Sequence, residues 1–119
     1  MEGVWEKARE LGRLLGQSDE YKALSRAKER VSNEREIVTL LNRLGQLEAD
    51  VARALQRGTE PSQETADEYE RLFSEVQARS EYQALVAAQT NFDKILARVN
   101  DEISKGISSA SQSRIILPS

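Results

Sequence analysis

The side chains best equipped for chemistry in this sequence are its charges. Lys22, Arg26 and Arg30 recur every four residues and so form one stripe on a helix, beside the face made by Tyr21, Leu24 and Val31. Together with Lys28 they are candidates to meet RNA phosphates or the carboxylates of a protein. Residues 22–35 hold five bases against two acids. Residues 60–82 are the reverse, with Glu60, Glu64, Asp67, Glu68, Glu70, Glu75 and Glu81 against Arg71 and Arg79. A basic stripe and an acidic helix can answer each other within one subunit or between two. No aromatic side chains interleave with the stripe to stack on bases, so contact with an acidic protein surface is the first reading and RNA the second.

Carboxylates are the other candidates. The chain has no His and no Cys, which removes imidazole bases, thiolate nucleophiles and the usual transition-metal ligands. The Glu-x-x-His pairs of helical di-metal centres therefore cannot be assembled. Most Asp and Glu residues fall opposite the apolar positions and read as a solvated face. Glu48 and Gln89 stand near apolar seams, where a polar side chain more often fixes register or oligomeric state than performs a reaction. There is no glycine-rich phosphate loop. These observations predict a non-enzymatic protein without catalytic residues, cofactor or metal.

The whole-chain charge of -3, from 17 bases and 20 acids, supplies no global positive field for nucleic acid or anionic lipid. The start, Met1-Glu2-Gly3-Val4-Trp5-Glu6-Lys7, lacks a basic patch followed by an apolar run, which points to a cytoplasmic protein. No window approaches 18 uninterrupted apolar residues, so no membrane span is expected.

At 119 residues the chain suits a single domain. Leu, Ile, Val and Phe make up 28 of those residues, enough for a folded core. Strand-like alternation is missing, and the apolar spacing of three and four predicts an all-α fold. Helices are expected over about 2–15, 19–31, 34–57, 62–79 and 81–106 of a single domain spanning 1–107. The predicted starts are Ser18 as a cap, Asn33 with Glu36 as a capping box, Pro61-Ser62, and Ser80 with Gln83. Gly16, Gly58 and Gly106 are expected at or just past helix ends. Residues 108–119 form a Ser-rich tail whose apolar triplet Ile115-Ile116-Leu117 reads as a frayed end.

Two of these helices carry heptad seams. Ile37, Leu40, Leu44, Leu47, Val51 and Ala54 make the first; Leu85, Phe92, Leu96, Val99 and Ile103, with Tyr82 and Gln89, make the second. Each helix would be roughly 37–40 Å long, more than a 119-residue globule accommodates, so the chain is expected to be an elongated helical hairpin or bundle. Two such seams exceed what one chain covers, and the prediction is a homodimer or homotetramer. Its interface would be Ile37, Leu40, Leu44, Leu47, Val51, Leu85, Phe92, Leu96, Val99 and Ile103. Ser18-Asp19-Glu20-Tyr21 and Ser80-Glu81-Tyr82 form a weak repeat that places Tyr21 and Tyr82 against neighbouring helices.

The ordered set of Ala8-Arg9-Glu10-Leu11-Gly12, Ser18-Asp19-Glu20-Tyr21, the heptad helix, Gly58 with its acidic helix, and Ser80-Glu81-Tyr82 through Gln89, Phe92 and Val99-Asn100 resembles the YlbF/YmcA family of small bacterial helical proteins. The likeness covers residues 4–107. The resemblance implies a cytoplasmic helical oligomer with a regulatory or adaptor role and a protein partner. Some members act in a complex that influences competence, biofilm formation and sporulation and modulates mRNA processing by ribonuclease Y. Members that help hold iron-sulfur clusters do so through cysteines; this sequence has none, so that property does not carry over.

Overall fold

Two serines set the starts of two helices, and one glycine sets the end of a third. The computed structural model describes residues 1–116, in the order α1 (Glu2–Gly16), α2 (Asp19–Ser32), α3 (Arg35–Gln56), α4 (Gln63–Gln77) and α5 (Ser80–Ile116), with no strand among the described residues. The Ser18 hydroxyl accepts from the Tyr21 amide at 3.1 Å and donates to the Leu15 carbonyl at 2.6 Å. One side chain thus closes α1 and opens α2. Ser62 caps α4 in the same way, accepting from Thr65 N at 3.1 Å. After α3, Gly58 adopts φ 72, while its amide bonds Leu55 O and the Thr59 amide bonds Ala54 O. This pattern satisfies carbonyls left over at the helix end and requires the left-handed backbone that glycine adopts without strain.

Three expected boundaries differ. Asn33 closes α2 instead of opening α3; Glu34 holds the cap position of α3 without a side-chain bond, so the Asn33–Glu36 capping box does not form. Ser80 is already inside α5, because the Gln83 amide bonds the Arg79 carbonyl. Gly106 ends nothing. Helix α5 runs 37 residues, ten beyond the expected stop at 106. Serine costs only a few tenths of a kcal/mol against alanine in a helix, and each residue added to an established helix gains a further backbone hydrogen bond. No proline occurs between the start of α5 and Pro118. The expected tail is therefore helical through Ile116, and the remainder, including Leu117 of the apolar triplet, lies outside the described residues.

Burial divides into two clusters. Leu44 and Leu47 of α3 meet Leu72 and Val76 of α4, with Leu40, Leu41, Tyr69 and Tyr82 packed around them. Leu24 and Ala27 of α2 meet Ala88 of α5, flanked by Leu85 and Phe92. The α2–α5 contact is the most extensive in the chain, α3–α4 the next, and the shorter α2–α3 and α4–α5 contacts join the two pairs. Ile37 is completely buried and Val31 nearly so, locking the turn from α2 to α3. Tyr21 reaches across to Phe92, ring centroids 5.4 Å apart, and Tyr82 joins the α3–α4 cluster. The two tyrosines of the repeat thus both rest on neighbouring helices. Extents of 70 × 38 × 24 Å and a radius of gyration of 21.6 Å far exceed the roughly 13–14 Å of a compact chain of this length. The elongated helical bundle is as expected.

Candidate interaction surfaces

The two heptad seams have different fates. Ile37, Leu44 and Leu47 are 0%, 5% and 1% exposed, and the chain's own helices cover them. They belong to the intrachain core, with α4 folded back onto the seam of α3 that a second subunit was expected to fill. Leu40 and Val51 are half-buried on the same seam. On α5, Leu85 and Phe92 pack under α2. Beyond that point the cover thins: Val99 is half-buried, while Leu96 and Ile103 are exposed.

The missing cover has a simple cause. Helix α1 is strongly amphipathic yet buries none of its residues, touching the body mainly through its junction with α2. Between Leu11 of α1 and Ile95, Val99 and Ile103 of α5 an open groove of about 470 Å³ remains, rimmed by Arg98 and Glu102. Nothing in the sequence pattern distinguishes this open seam from the closed one.

The basic candidates are all exposed on α2. Lys22, Arg26 and Arg30 face away from the buried Leu24, Ala27 and Val31, as their spacing predicts. Lys28 does not join them: two residues from Arg26, it stands about 200° around the helix. The usable stripe has three cations. None of them pairs with the acidic helix of its own chain among the described ion pairs. That helix is answered instead from α3: Arg43 donates from Nε and Nη2 to the two carboxylate oxygens of Glu68 at 2.7 and 2.9 Å. Farther along, Arg79, just past α4, reaches Glu36 on α3 at 2.5 Å.

The hydrogen bond from Arg43, reinforced by its charge, holds the Glu68 carboxyl below the usual carboxylate range. A depressed folded-state value means the pair stabilises above the ordinary carboxylate pKa, and that contribution is lost as pH falls through the depressed one. The groups are partly solvated, so the effect is small. We expect the urea midpoint of the native chain to fall more steeply on acidification than that of Glu68→Gln; parallel curves would show that the pair contributes nothing.

Glu48, flagged by its place near the seam, accepts from the Tyr69 hydroxyl at 3.2 Å. Burial raises the Tyr69 pKa, and the neighbouring Glu48 charge raises it further. The Tyr69 ring stacks on Phe73 at 5.9 Å and, with Val51, Pro61 and Ala66, lines a shallow apolar hollow between Glu48 and Glu70. Gln89 donates to Asp93 at 2.9 Å on its own helix. Both polar seam residues therefore have local partners. No helix among the described residues is long and apolar enough to cross a membrane.

The sequence profile of a family described as control of competence regulator ComK, YlbF/YmcA, matches residues 4–108. The chain belongs to the YlbF/YmcA family. Among relatives of this YlbF/YmcA protein are UPF0342 proteins of Lactobacillus helveticus, 25% identical, and Lactobacillus acidophilus, 26% identical. Each aligns over 107 residues, 90% of this chain and 92% of the relative. In three dimensions it is similar to Bacillus subtilis RicA, determined in complex with RicF, with a TM-score of 0.77 and 15% identity over 91% of this chain and 96% of that one. A Bacillus stearothermophilus protein of unknown function (DUF964) superposes with a TM-score of 0.69 and 16% identity, covering 93% and 97%. These likenesses establish a shared five-helix fold.

Proposed function

We propose that this YlbF/YmcA-family protein is a cytoplasmic regulatory adaptor that works by binding protein chains, its own copies included, and carries no catalytic centre. The observation that carries this reading is the RicA structure: a protein of the same fold over nine-tenths of this chain is held in a complex with another protein. The surface supports it. Large apolar side chains on α1 and outer α5, and the aromatic hollow on α4, remain exposed where a partner could cover them. Tagged full-length chain recovered from its own cells under mild conditions should bring down a specific protein in near-stoichiometric amount. Recovery of the chain with no other protein would overturn the adaptor reading.

A second reading is RNA contact through Lys22, Arg26 and Arg30. It is favoured by one observation: the stripe is solvent-facing and unanswered by the chain's own acids among the described ion pairs. Three phosphate contacts to single-stranded RNA predict that log affinity falls against log salt with a slope of about 2. Changing all three residues to Glu should abolish binding. Undetectable binding of a single-stranded oligonucleotide at low salt would remove this reading.

A further inference from the structure

We propose that the hollow between α3 and α4 is a docking site for a basic amphipathic helix of a different protein, with a Lys or Arg side chain of that helix set against the Tyr69 ring between Glu48 and Glu70. This rests on the reading of the chain as an adaptor, and it names the surface and the chemistry of the partner.

The hollow lies where two antiparallel helices part near their connection. Glu36 meets Arg79, Glu48 meets Tyr69, and Val51 shares the hollow with Pro61 and Ala66, so α3 and α4 run in opposite directions. Toward the connection, the short side chain of Ala66 leaves a gap of about 460 Å³ beside Val51 and Tyr69. Leu55 continues the apolar surface one turn past Val51 at one end, and Phe73 one turn past Tyr69 at the other. Leu55 is 64% and Phe73 38% exposed. The strip is about three turns of helix long. It follows a groove between two helices, the setting in which a third helix seats its apolar face.

Charge selects the kind of helix. The face of an aromatic ring such as Tyr69 attracts cations. The Tyr69 hydroxyl donates to Glu48 Oε1 at 3.2 Å, which holds that carboxylate at the rim and leaves its other oxygen without a partner among the described hydrogen bonds. Among the described ion pairs neither Glu48 nor Glu70 meets a cation, whereas the neighbouring Glu68 is answered by Arg43. Helix α4 as a whole holds five acids against Arg71 alone. This field repels RNA phosphates and anionic lipid and draws a basic helix. A Lys or Arg fits the hollow in both its parts: the methylenes lie on Val51, Ala66 and Tyr69 while the charged head reaches the two carboxylates.

The chain itself offers no such helix. Helix α2 is basic, but its apolar residues Leu24, Ala27 and Val31 are already buried, so it has no apolar face to seat. Helix α1 and outer α5 have apolar residues uncovered, yet residues 1–16 and residues 93–111 each carry three acids and three bases. The occupant is therefore another protein.

Fluorescence anisotropy tests this with purified full-length chain and a labelled peptide of Leu and Lys at amphipathic helical spacing. The peptide should bind at low salt with a dissociation constant on the order of 10–100 μM, and its Leu–Glu counterpart should not bind. Glu48→Gln with Glu70→Gln should weaken binding about 10-fold. Ala66→Arg, which fills the hollow with the chain's own cation, should abolish it; helicity by circular dichroism should be unchanged in both variants. Glu64→Gln with Glu75→Gln removes as much charge outside the hollow and should weaken binding by less than about 2-fold. No binding of the Leu–Lys peptide, or equal losses from the two double substitutions, would overturn the proposal. A lower mass in sedimentation for Glu48→Gln with Glu70→Gln would also overturn it, by making a second copy the occupant. Recovery of the same protein from cells by the native chain and by that variant would sink the hollow and leave the adaptor reading standing. Peptide binding that obeys the substitutions, with no protein recovered from cells, would overturn the adaptor reading alone.

Discussion

Leu47→Ala should lower the free energy of unfolding by about 3 kcal/mol, within the 2–5 kcal/mol of buried leucine truncations. Leu47 is 1% exposed and sits with Leu44, Leu72 and Val76, where α3 and α4 close on each other. Removing its isobutyl group forfeits the transfer energy of the lost carbons and opens a cavity that two rigid helices cannot collapse around. The effect is large in proportion, because Ile37, Leu47 and Val76 are the largest fully buried side chains among the described residues. Leu55→Ala, on the same helix but 64% exposed, should change stability by less than about 0.5 kcal/mol. Urea unfolding of both variants at one fixed protein concentration checks this, since assembly would add a concentration-dependent contribution. Equal midpoints for the two would show that the α3–α4 seam is not the core.

Ala88→Leu should cost about 1–3 kcal/mol by the opposite mechanism, overpacking. Ala88 and Ala27 are 9% and 6% exposed where α2 and α5 make their longest contact, with Leu24 beside them. Small side chains at this crossing let the helices approach. Three added carbons force them apart or push Leu24 and Phe92 out of place. Because α1 is fastened to α2 through Ser18, a shift of α2 also moves α1 relative to α5. Ala87→Leu, one residue away and solvent-facing, is the control and should be close to neutral. Thermal melts of the pair should separate; coincident melts would mean that α2 and α5 are not closely packed at this point.

Much of the fold was legible because apolar spacing reports directly on helical periodicity. Ser18 and Ser62 announced their helices, and Gly58 its end, because those residues satisfy backbone groups locally. Asn33 and Ser80 misled: the same residue types also occur at helix ends and inside helices, and the chain beyond decides which. Gly106 and the serines after it suggested a stop, yet neither is strong enough to break a helix already formed. Periodicity was least informative about partners. A spacing of three and four says that a face is buried without saying what buries it, so the seam of α3, closed by α4, and that of outer α5, left open, look identical as sequence. The basic stripe was legible at three positions, and only adjacency in sequence had added Lys28.

Trp5 supplies the most direct test, because it is the single tryptophan and stands on the edge of α1 that the chain leaves uncovered. In a dilution series of the native protein, its emission should move to shorter wavelength as concentration rises, in step with the rise in mass as copies associate. Emission that stays at the wavelength of solvated tryptophan while the mass doubles would place the interface elsewhere and contradict the account.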